Sequence, residues 1–135
     1  MDRLRERLTI AARALATLGE LARLPDPRTV ERDAAIKRFE YSVEATWKAA
    51  QQYLRVVEGI DVGSPKAAVR VAREAGLLSE AEAAQALTAT DDRNLAAHTY
   101  NEELAKMLFA RLSGHLEVLE VWLDAMQRRL PSRQV

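Results

Sequence analysis

Apolar residues recur along most of this chain at alternating steps of three and four, the spacing of one face of an α-helix. The first such stripe runs from Leu4 to Ala22, and Pro25 and Pro27 end it because proline lacks a backbone N–H. A second helix is predicted from about Thr29 to Val57. Its apolar stripe comprises Ile36, Phe39, Val43, Trp47, Ala50, Leu54 and Val57, and Gly59 and Gly63 are expected to close it.

The middle of the chain carries helix start and stop signals at close intervals. Ser64 is a predicted N-cap followed by Pro65 at the first helical position, and Gly76 is the expected stop. Ser79 and Glu82 have the spacing of a capping box that starts the next helix. These signals predict two short helices of about three turns each.

The last apolar stripe predicts a long helix from about Thr99 to Arg129, followed by a tail, PSRQV, that is expected to fray. No segment alternates between apolar and polar residues for long enough to indicate a strand. We therefore predict an all-α fold, an antiparallel up-and-down bundle of three long helices and a short pair, in a single domain spanning residues 1–135.

Composition narrows the class of protein. The 135 residues include 48% apolar and 30% charged residues, as in folded globular proteins. The 20 basic and 20 acidic residues balance, which excludes a broadly basic nucleic-acid binder but leaves room for a local basic site. Cysteine is absent, so there is neither a disulfide nor a thiol nucleophile. The N-terminal stretch is a poor signal peptide and no stretch suits a membrane span, so we expect a cytoplasmic protein.

The long helices carry more apolar surface than one small bundle hides, which predicts a homodimer or a larger homo-oligomer. Phe109 and Trp122, at the margin of the last stripe, are part of that surplus. His115 has no second histidine nearby, so a metal site is disfavoured against a simple surface or interface histidine.

The segment DDRNLAAHTYNEELA, residues 91–105, gathers groups that core packing does not require. Arg93 is suited to hold a phosphate, and His98 can give or take a proton near neutral pH. Spacing alone favours a plainer interpretation. In it the arginine pairs with Asp91 or Asp92, which cap a helix or close a turn, and the histidine is buried and hydrogen-bonded between two helices.

The set Arg93-x4-His98-x-Tyr100 resembles the R-x4-H-x-Y signature of HEPN-domain proteins. The resemblance is closest to the small HEPN proteins that are encoded beside a minimal nucleotidyltransferase, known as nucleotidyltransferase substrate-binding proteins or HepT-like toxins. Two further runs are similar to that family, residues 38–54 and residues 63–78. Together the runs cover roughly residues 30–125 in the family's order, whereas the N-terminal helix has little that matches.

The resemblance implies a helical bundle that dimerises with two motifs facing one cleft, and a metal-independent ribonuclease that needs no cofactor. It implies that His98 transfers a proton during attack of the RNA 2′-hydroxyl on its own phosphate, that Arg93 steadies the phosphate charge, and that Asn94 supports the motif. It further implies that Tyr100 is adenylylated by the partner nucleotidyltransferase, the antitoxin, which silences the toxin.

Three functions stay open at this point. The first is a ribonuclease toxin of a toxin–antitoxin pair with RNA as its substrate. The second is a non-catalytic substrate-binding subunit of a two-component nucleotidyltransferase, and the two descriptions are compatible. The third is a structural bundle with a vestigial motif, in which changes at His98 and Tyr100 alter nothing except stability. We favour the first two combined, because the substrate-binding description fits the family resemblance while the intact motif argues for the toxin chemistry.

Overall fold

The computed structural model describes residues 1–131, and they form five α-helices. The helices are α1 (Asp2–Ala22), α2 (Thr29–Tyr53), α3 (Pro65–Glu74), α4 (Glu80–His98) and α5 (Glu102–Arg128). The long helices α1, α2 and α5 pack against one another, while α3 and α4 pair and lie against α2, with α4 also on α5. No strand occurs between residues 1 and 131, so the predicted all-α bundle is confirmed. The tail that was expected to fray lies, apart from Pro131, outside the described residues.

The core is built from the apolar stripes that the sequence displays. Each long helix turns one face inward, and the burial of that apolar face is the main favourable term in packing. The largest side chains with almost no exposure include Tyr53, Phe39, Leu4, Leu18, Leu54, Leu108, Leu112, Leu116, Leu119 and Met126. No helix of the described range is both long enough and apolar enough to cross a bilayer.

Capping residues fix the short connections as predicted. The Ser64 hydroxyl accepts the Ala67 N–H at 3.1 Å at the start of α3. At the start of α4 the backbone N–H of Ser79 donates to the Glu82 carboxylate, and the Glu82 N–H donates to the Ser79 hydroxyl, which is a capping box. Gly76 ends α3 at φ 79°, a left-handed conformation that favours glycine.

The second helix also ends close to the predicted position. After Tyr53 the chain continues through one wider π-helical turn, Leu54–Glu58, and Gly59 closes it at φ 69°. The sequence did not predict the π turn, because a 3.6-residue periodicity does not distinguish it from an ordinary helical turn.

The boundary between the last two helices was predicted wrongly. The second helix of the short pair is not three turns long: α4 has 19 residues and includes Asp91 and Asp92, which neither cap a helix nor close a turn. The final helix begins at Glu102 rather than near Thr99, because Thr99 is extended and the Asn101 side chain accepts the Leu104 N–H at 2.8 Å as the N-cap.

One reason given for an oligomer is also wrong. Trp122 is 2% exposed and belongs to the core of the single chain, and Phe109 is half-buried against that core. The large apolar residues that do reach the surface lie elsewhere, among them Val30, Tyr41 and Leu95. The homo-oligomer itself stays a prediction.

Candidate functional site

The C-terminal half of α4 is anchored to α5 by a buried acid. Asp92 faces inward, and its carboxylate accepts hydrogen bonds from the His115 Nε2 at 2.7 Å and from Arg111 at 3.1 Å. Burying a carboxylate is costly unless it is paired and hydrogen-bonded, and both conditions hold here. The acid therefore fixes where the next residue of the helix, Arg93, projects.

His115 completes this anchor. Its Nδ1 accepts the side-chain amide N–H of Gln85 at 2.8 Å, so the ring proton is carried on Nε2 and is donated to Asp92. The ring stacks on Phe39 with centroids 5.4 Å apart. Because His115 is 1% exposed within the single chain, the prediction of a surface or interface histidine is wrong. Its role is to pack and bond in the core.

Arg93 lies in a surface groove between α2, α4 and the start of α3. Its guanidinium donates to the Glu44 carboxylate at 3.4 Å and to the Asn94 side-chain oxygen at 3.2 Å. The predicted pairing with Asp91 or Asp92 is not found, since Asp91 pairs with Lys66 at 2.6 Å. The groove has a volume of about 400 Å³ and is lined by Glu44, Trp47, Ser64, Pro65, Lys66, Thr90, Arg93 and Asn94.

The groove combines features of an anion site with two competing acids, since Glu44 pairs with Arg93 and Asp91 pairs with Lys66. Lys66 and Arg93 supply two cations beside the N-terminus of α3, whose dipole favours an anion. Pro65 has no N–H, however, and the Ala67 N–H already donates to the Ser64 hydroxyl. Glu44 also accepts the Trp47 indole N–H at 3.0 Å. The carboxylate thus occupies the position beside Arg93 that another anion would need.

His98 is the last residue of α4 and is exposed. The interpretation of a buried, hydrogen-bonded histidine between two helices is therefore wrong. His98 follows Asn94 by one helical turn and lies on the same face as that residue. At about 100° per residue, however, it is rotated by roughly 140° from Arg93. The groove that holds Arg93 and Asn94 does not include His98 or Tyr100.

Tyr100 lies in the connection between α4 and α5, with 67% of its surface exposed. Its hydroxyl donates to the Asp33 carboxylate at 3.0 Å. That hydrogen bond is the main cause that raises the pKa of Tyr100 above its ordinary value, because ionisation would set a phenolate against a carboxylate. A crevice of about 10 Å³ lies beneath Tyr100, enough for about one water molecule.

A charged network between α2 and α5 holds Asp33. Arg32, 6% exposed, donates to Asp33 at 3.2 Å and to both oxygens of Glu102, at 2.7 and 3.2 Å. The hydrogen bonds from Arg32 are the main cause that lowers the pKa of Glu102. Sequence inspection missed Arg32 and Asp33. Adjacent charged residues inside a regular helix are ordinarily solvated. The partner of Arg32, Glu102, lies 70 residues away in the sequence, so no local pattern indicates the contact.

Among residues 1–131 no group of three or more histidine, aspartate and glutamate side chains could hold a metal ion. The groove and the Tyr100 network instead offer cations, carboxylates, a phenol and an exposed imidazole. These groups are suited to bind an anion and to move protons.

The chain matches a known family model. Residues 6–128 match the model described as nucleotidyltransferase substrate binding protein like. The match includes α1, where the sequence had offered little to compare. No curated protein matches the chain.

Solved structures share the fold. A crystal structure from Thermus thermophilus is 55% identical, covers 87% of this chain and 99% of its own, and has a TM-score of 0.85. A tri-AMPylated Shewanella oneidensis HEPN toxin, solved in complex with an MNT antitoxin, is 16% identical, with 96% and 99% coverage and a TM-score of 0.77. A mutant MntA–HpeT toxin–antitoxin structure is also 16% identical, with 96% and 100% coverage and a TM-score of 0.78.

Proposed function

We propose, from the premise that this chain belongs to the nucleotidyltransferase substrate binding protein-like family, that it is the HEPN-type partner of a minimal nucleotidyltransferase. In this proposal it is the toxin of a toxin–antitoxin pair, acts as a metal-independent ribonuclease and is silenced by adenylylation of Tyr100. The Shewanella neighbour supports the toxin role and the silencing by adenylylation through analogy, since that protein is an AMPylated HEPN toxin bound to an MNT antitoxin.

The observation that carries the proposal is the different use of the two histidines. His115 is buried and bonded on both ring nitrogens, whereas His98 is exposed at the end of the motif helix. Arg93 likewise lies at the surface groove and not in the core. The imidazole of His98 and the guanidinium of Arg93 are therefore both accessible to a substrate, which the proposed chemistry requires.

The proposed reaction is cleavage of an RNA phosphodiester by its own 2′-hydroxyl. The 2′-oxygen forms a bond to phosphorus, the bond to the 5′-oxygen of the next nucleotide breaks, and His98 transfers a proton in this exchange. Arg93 releases Glu44 and binds the phosphate through its paired N–H groups, which stabilises the added negative charge. Lys66, at the start of α3, releases Asp91 in the same way and holds the neighbouring phosphate.

We further propose that a homodimer completes the site. Arg93 and His98 lie on different faces of one α4, so a single chain does not direct both groups to one phosphate. Two copies with their α4 ends together place the arginine of one beside the histidine of the other. Leu95, which is 39% exposed between the motif residues, supplies apolar surface for such a contact.

The position of Tyr100 suits silencing by a bulky, charged group. The crevice under its ring holds only about one water molecule, so a nucleotide attached to the hydroxyl remains on the surface, two residues after His98 in the sequence. There it blocks RNA through its volume and through the negative charge of its phosphate.

The test is RNA cleavage by purified chain that carries a bare Tyr100, measured in excess EDTA. His98→Ala is expected to lower the rate by about 10²–10⁴-fold, the usual contribution of a proton-transfer group. Arg93→Ala is expected to act in the same direction. Arg70→Ala is the matched control, since Arg70 is an exposed arginine outside the groove, and it should cut like wild type.

Preparing all four proteins in parallel excludes a contaminating nuclease, which every sample would share. If wild type does not cut while Tyr100 is bare, the ribonuclease proposal fails. The chain is then better described as the non-catalytic subunit of a two-component nucleotidyltransferase, and a stable complex with that enzyme becomes the observation to seek.

A further inference from the structure

Tyr100 does not stand alone on the surface: its hydroxyl already has a proton acceptor. The O–H donates to Asp33 at 3.0 Å, from a loop to a different helix. An exposed tyrosine in a connecting segment is free to satisfy its hydroxyl with water. The Tyr100 hydroxyl instead bonds to the Asp33 carboxylate, whose other oxygen is bound by Arg32.

We propose that Asp33 is the general base for nucleotidyl transfer to Tyr100, so that the target chain itself activates the hydroxyl that is modified. The inference rests on the proposed function, because it presupposes that Tyr100 is the acceptor. It adds a catalytic residue that lies on α2, outside the motif and remote from it in sequence.

The orientation of Asp33 supports this role. Arg32 donates from both Nε and Nη2 to the Asp33 Oδ1, at 3.2 Å each, and thereby leaves Oδ2 to accept the Tyr100 hydroxyl. Arg32 is itself 7% exposed in its side chain and is fixed by Glu102 at 2.7 Å. The carboxylate is thus presented in one geometry, with one oxygen bound and the other directed at the nucleophile.

The proposed step balances as follows. The Tyr100 oxygen attacks the α-phosphorus of a nucleoside triphosphate brought by the nucleotidyltransferase, and a new phosphorus–oxygen bond forms. The bond between the α-phosphorus and the bridging oxygen breaks, and pyrophosphate leaves with the electron pair. The hydroxyl proton passes to the Asp33 Oδ2. A carboxylate is a weak base towards a free phenol, but the phenol loses its proton readily as its oxygen bonds to phosphorus.

The charged groups around Tyr100 make Asp33 the best placed acceptor. Arg32 carries no lone pair to accept a proton, and Glu102 is engaged by Arg32 on both oxygens. His98 precedes Tyr100 by two residues at the end of α4, and within residues 1–131 no hydrogen bond joins it to the Tyr100 hydroxyl, which bonds to Asp33 at 3.0 Å.

The experiment follows transfer to this chain by a minimal nucleotidyltransferase of the MNT antitoxin class, with ATP and magnesium, by intact mass and peptide mapping. Asp33→Asn keeps an oxygen that accepts the Tyr100 hydrogen bond but removes the base. The matched control is Glu103→Gln, which neutralises an exposed acid in the first turn of α5. Tyr100→Phe establishes the site, and the binding affinity of each variant for the enzyme is measured separately.

We expect Asp33→Asn to slow transfer about 100-fold at pH 7 and Glu103→Gln to leave it unchanged. The ratio of the wild-type rate to the Asp33→Asn rate should then depend on pH. Across about pH 6.5–9 an aspartate carboxylate is ordinarily ionised, whereas the phenolate fraction that the variant relies on rises about tenfold per pH unit. The deficit should therefore shrink as pH rises, and properties of the enzyme cancel in the ratio.

Three outcomes separate the claims. No transfer to wild-type Tyr100 overturns the proposed function itself. Transfer to wild type with an equal rate in Asp33→Asn overturns the inference and leaves the proposed function standing. A deficit that stays constant across pH, or that follows a matching loss of affinity for the enzyme, shows that Asp33 positions the tyrosine or contacts the enzyme, and it overturns the assignment as base.

Discussion

The chain has two histidines, and they mark two regions of opposite character. Around His115 the polar groups bind one another: Asp92 and Gln85 bond to the two nitrogens of a buried ring that is stacked on Phe39, and Arg111 bonds to Asp92 from the surface. Around His98 the polar groups face outward. The two regions meet in α4, where Asp92 points into the core and Arg93 to the surface groove, so the bonds that fix the helix do not use the groups available for chemistry.

The strongest test of this difference between the two regions is to replace each histidine in turn and measure stability. His115→Ala should lower the free energy of unfolding by about 3 kcal/mol, because it leaves a cavity against Phe39 and deprives Asp92 and Gln85 of their partner. His98→Ala should change it by less than about 0.5 kcal/mol, as expected for an exposed residue. Urea denaturation followed by circular dichroism measures both values.

The order should reverse when RNA cleavage is measured below the unfolding transition. There we expect His98→Ala to cut about 10²–10⁴-fold more slowly than wild type, whereas the folded fraction of His115→Ala should still cut. Equal losses of stability in the two variants would show that the buried network does not hold α4 in place, and the contrast between the regions would be lost.

The two neighbouring aspartates repeat the contrast on a smaller scale. Asp92→Asn should cost about 1.5 kcal/mol of unfolding free energy. The amide still accepts from His115 but loses the charge that Arg111 binds. Asp91→Asn, the matched control, should cost no more than about 0.5 kcal/mol, since its ion pair with Lys66 is exposed. A larger loss at Asp91 would mean that its exposed pair with Lys66 contributes to stability, and the contrast between the two aspartates would be lost.

The fold was largely predictable from the chain because helix periodicity and caps are local. Ser64, Gly76 and Ser79 mark real boundaries through hydrogen bonds within a few residues of each. The error at Asp91 and Asp92 has a non-local cause. An acid pair looks like a cap, but Asp92 is accommodated in mid-helix by Arg111 and His115 from α5, which no local pattern reveals.

The candidate site shows the same division. The motif located Arg93, Asn94, His98 and Tyr100, whose roles stay proposals. Their spacing could not show that Glu44 pairs with Arg93 or that Asp33 receives the tyrosine hydroxyl. Both partners come from α2, so they become visible only once the bundle has brought α2 beside α4 and the connection that follows it.

The smallest predicted effect concerns Tyr100 before any modification. In wild type the pKa of Tyr100 should lie above the ordinary value of about 10, chiefly because the phenolate would face the Asp33 carboxylate. Asp33→Asn removes that negative charge, so the midpoint should fall back towards the ordinary value. The ultraviolet absorbance of tyrosinate, taken as the difference between each protein and its Tyr100→Phe counterpart, isolates this one group. An unchanged midpoint in Asp33→Asn would mean that the hydroxyl is not held by Asp33 in solution, and the network would then lack the contact that separates Tyr100 from an ordinary surface tyrosine.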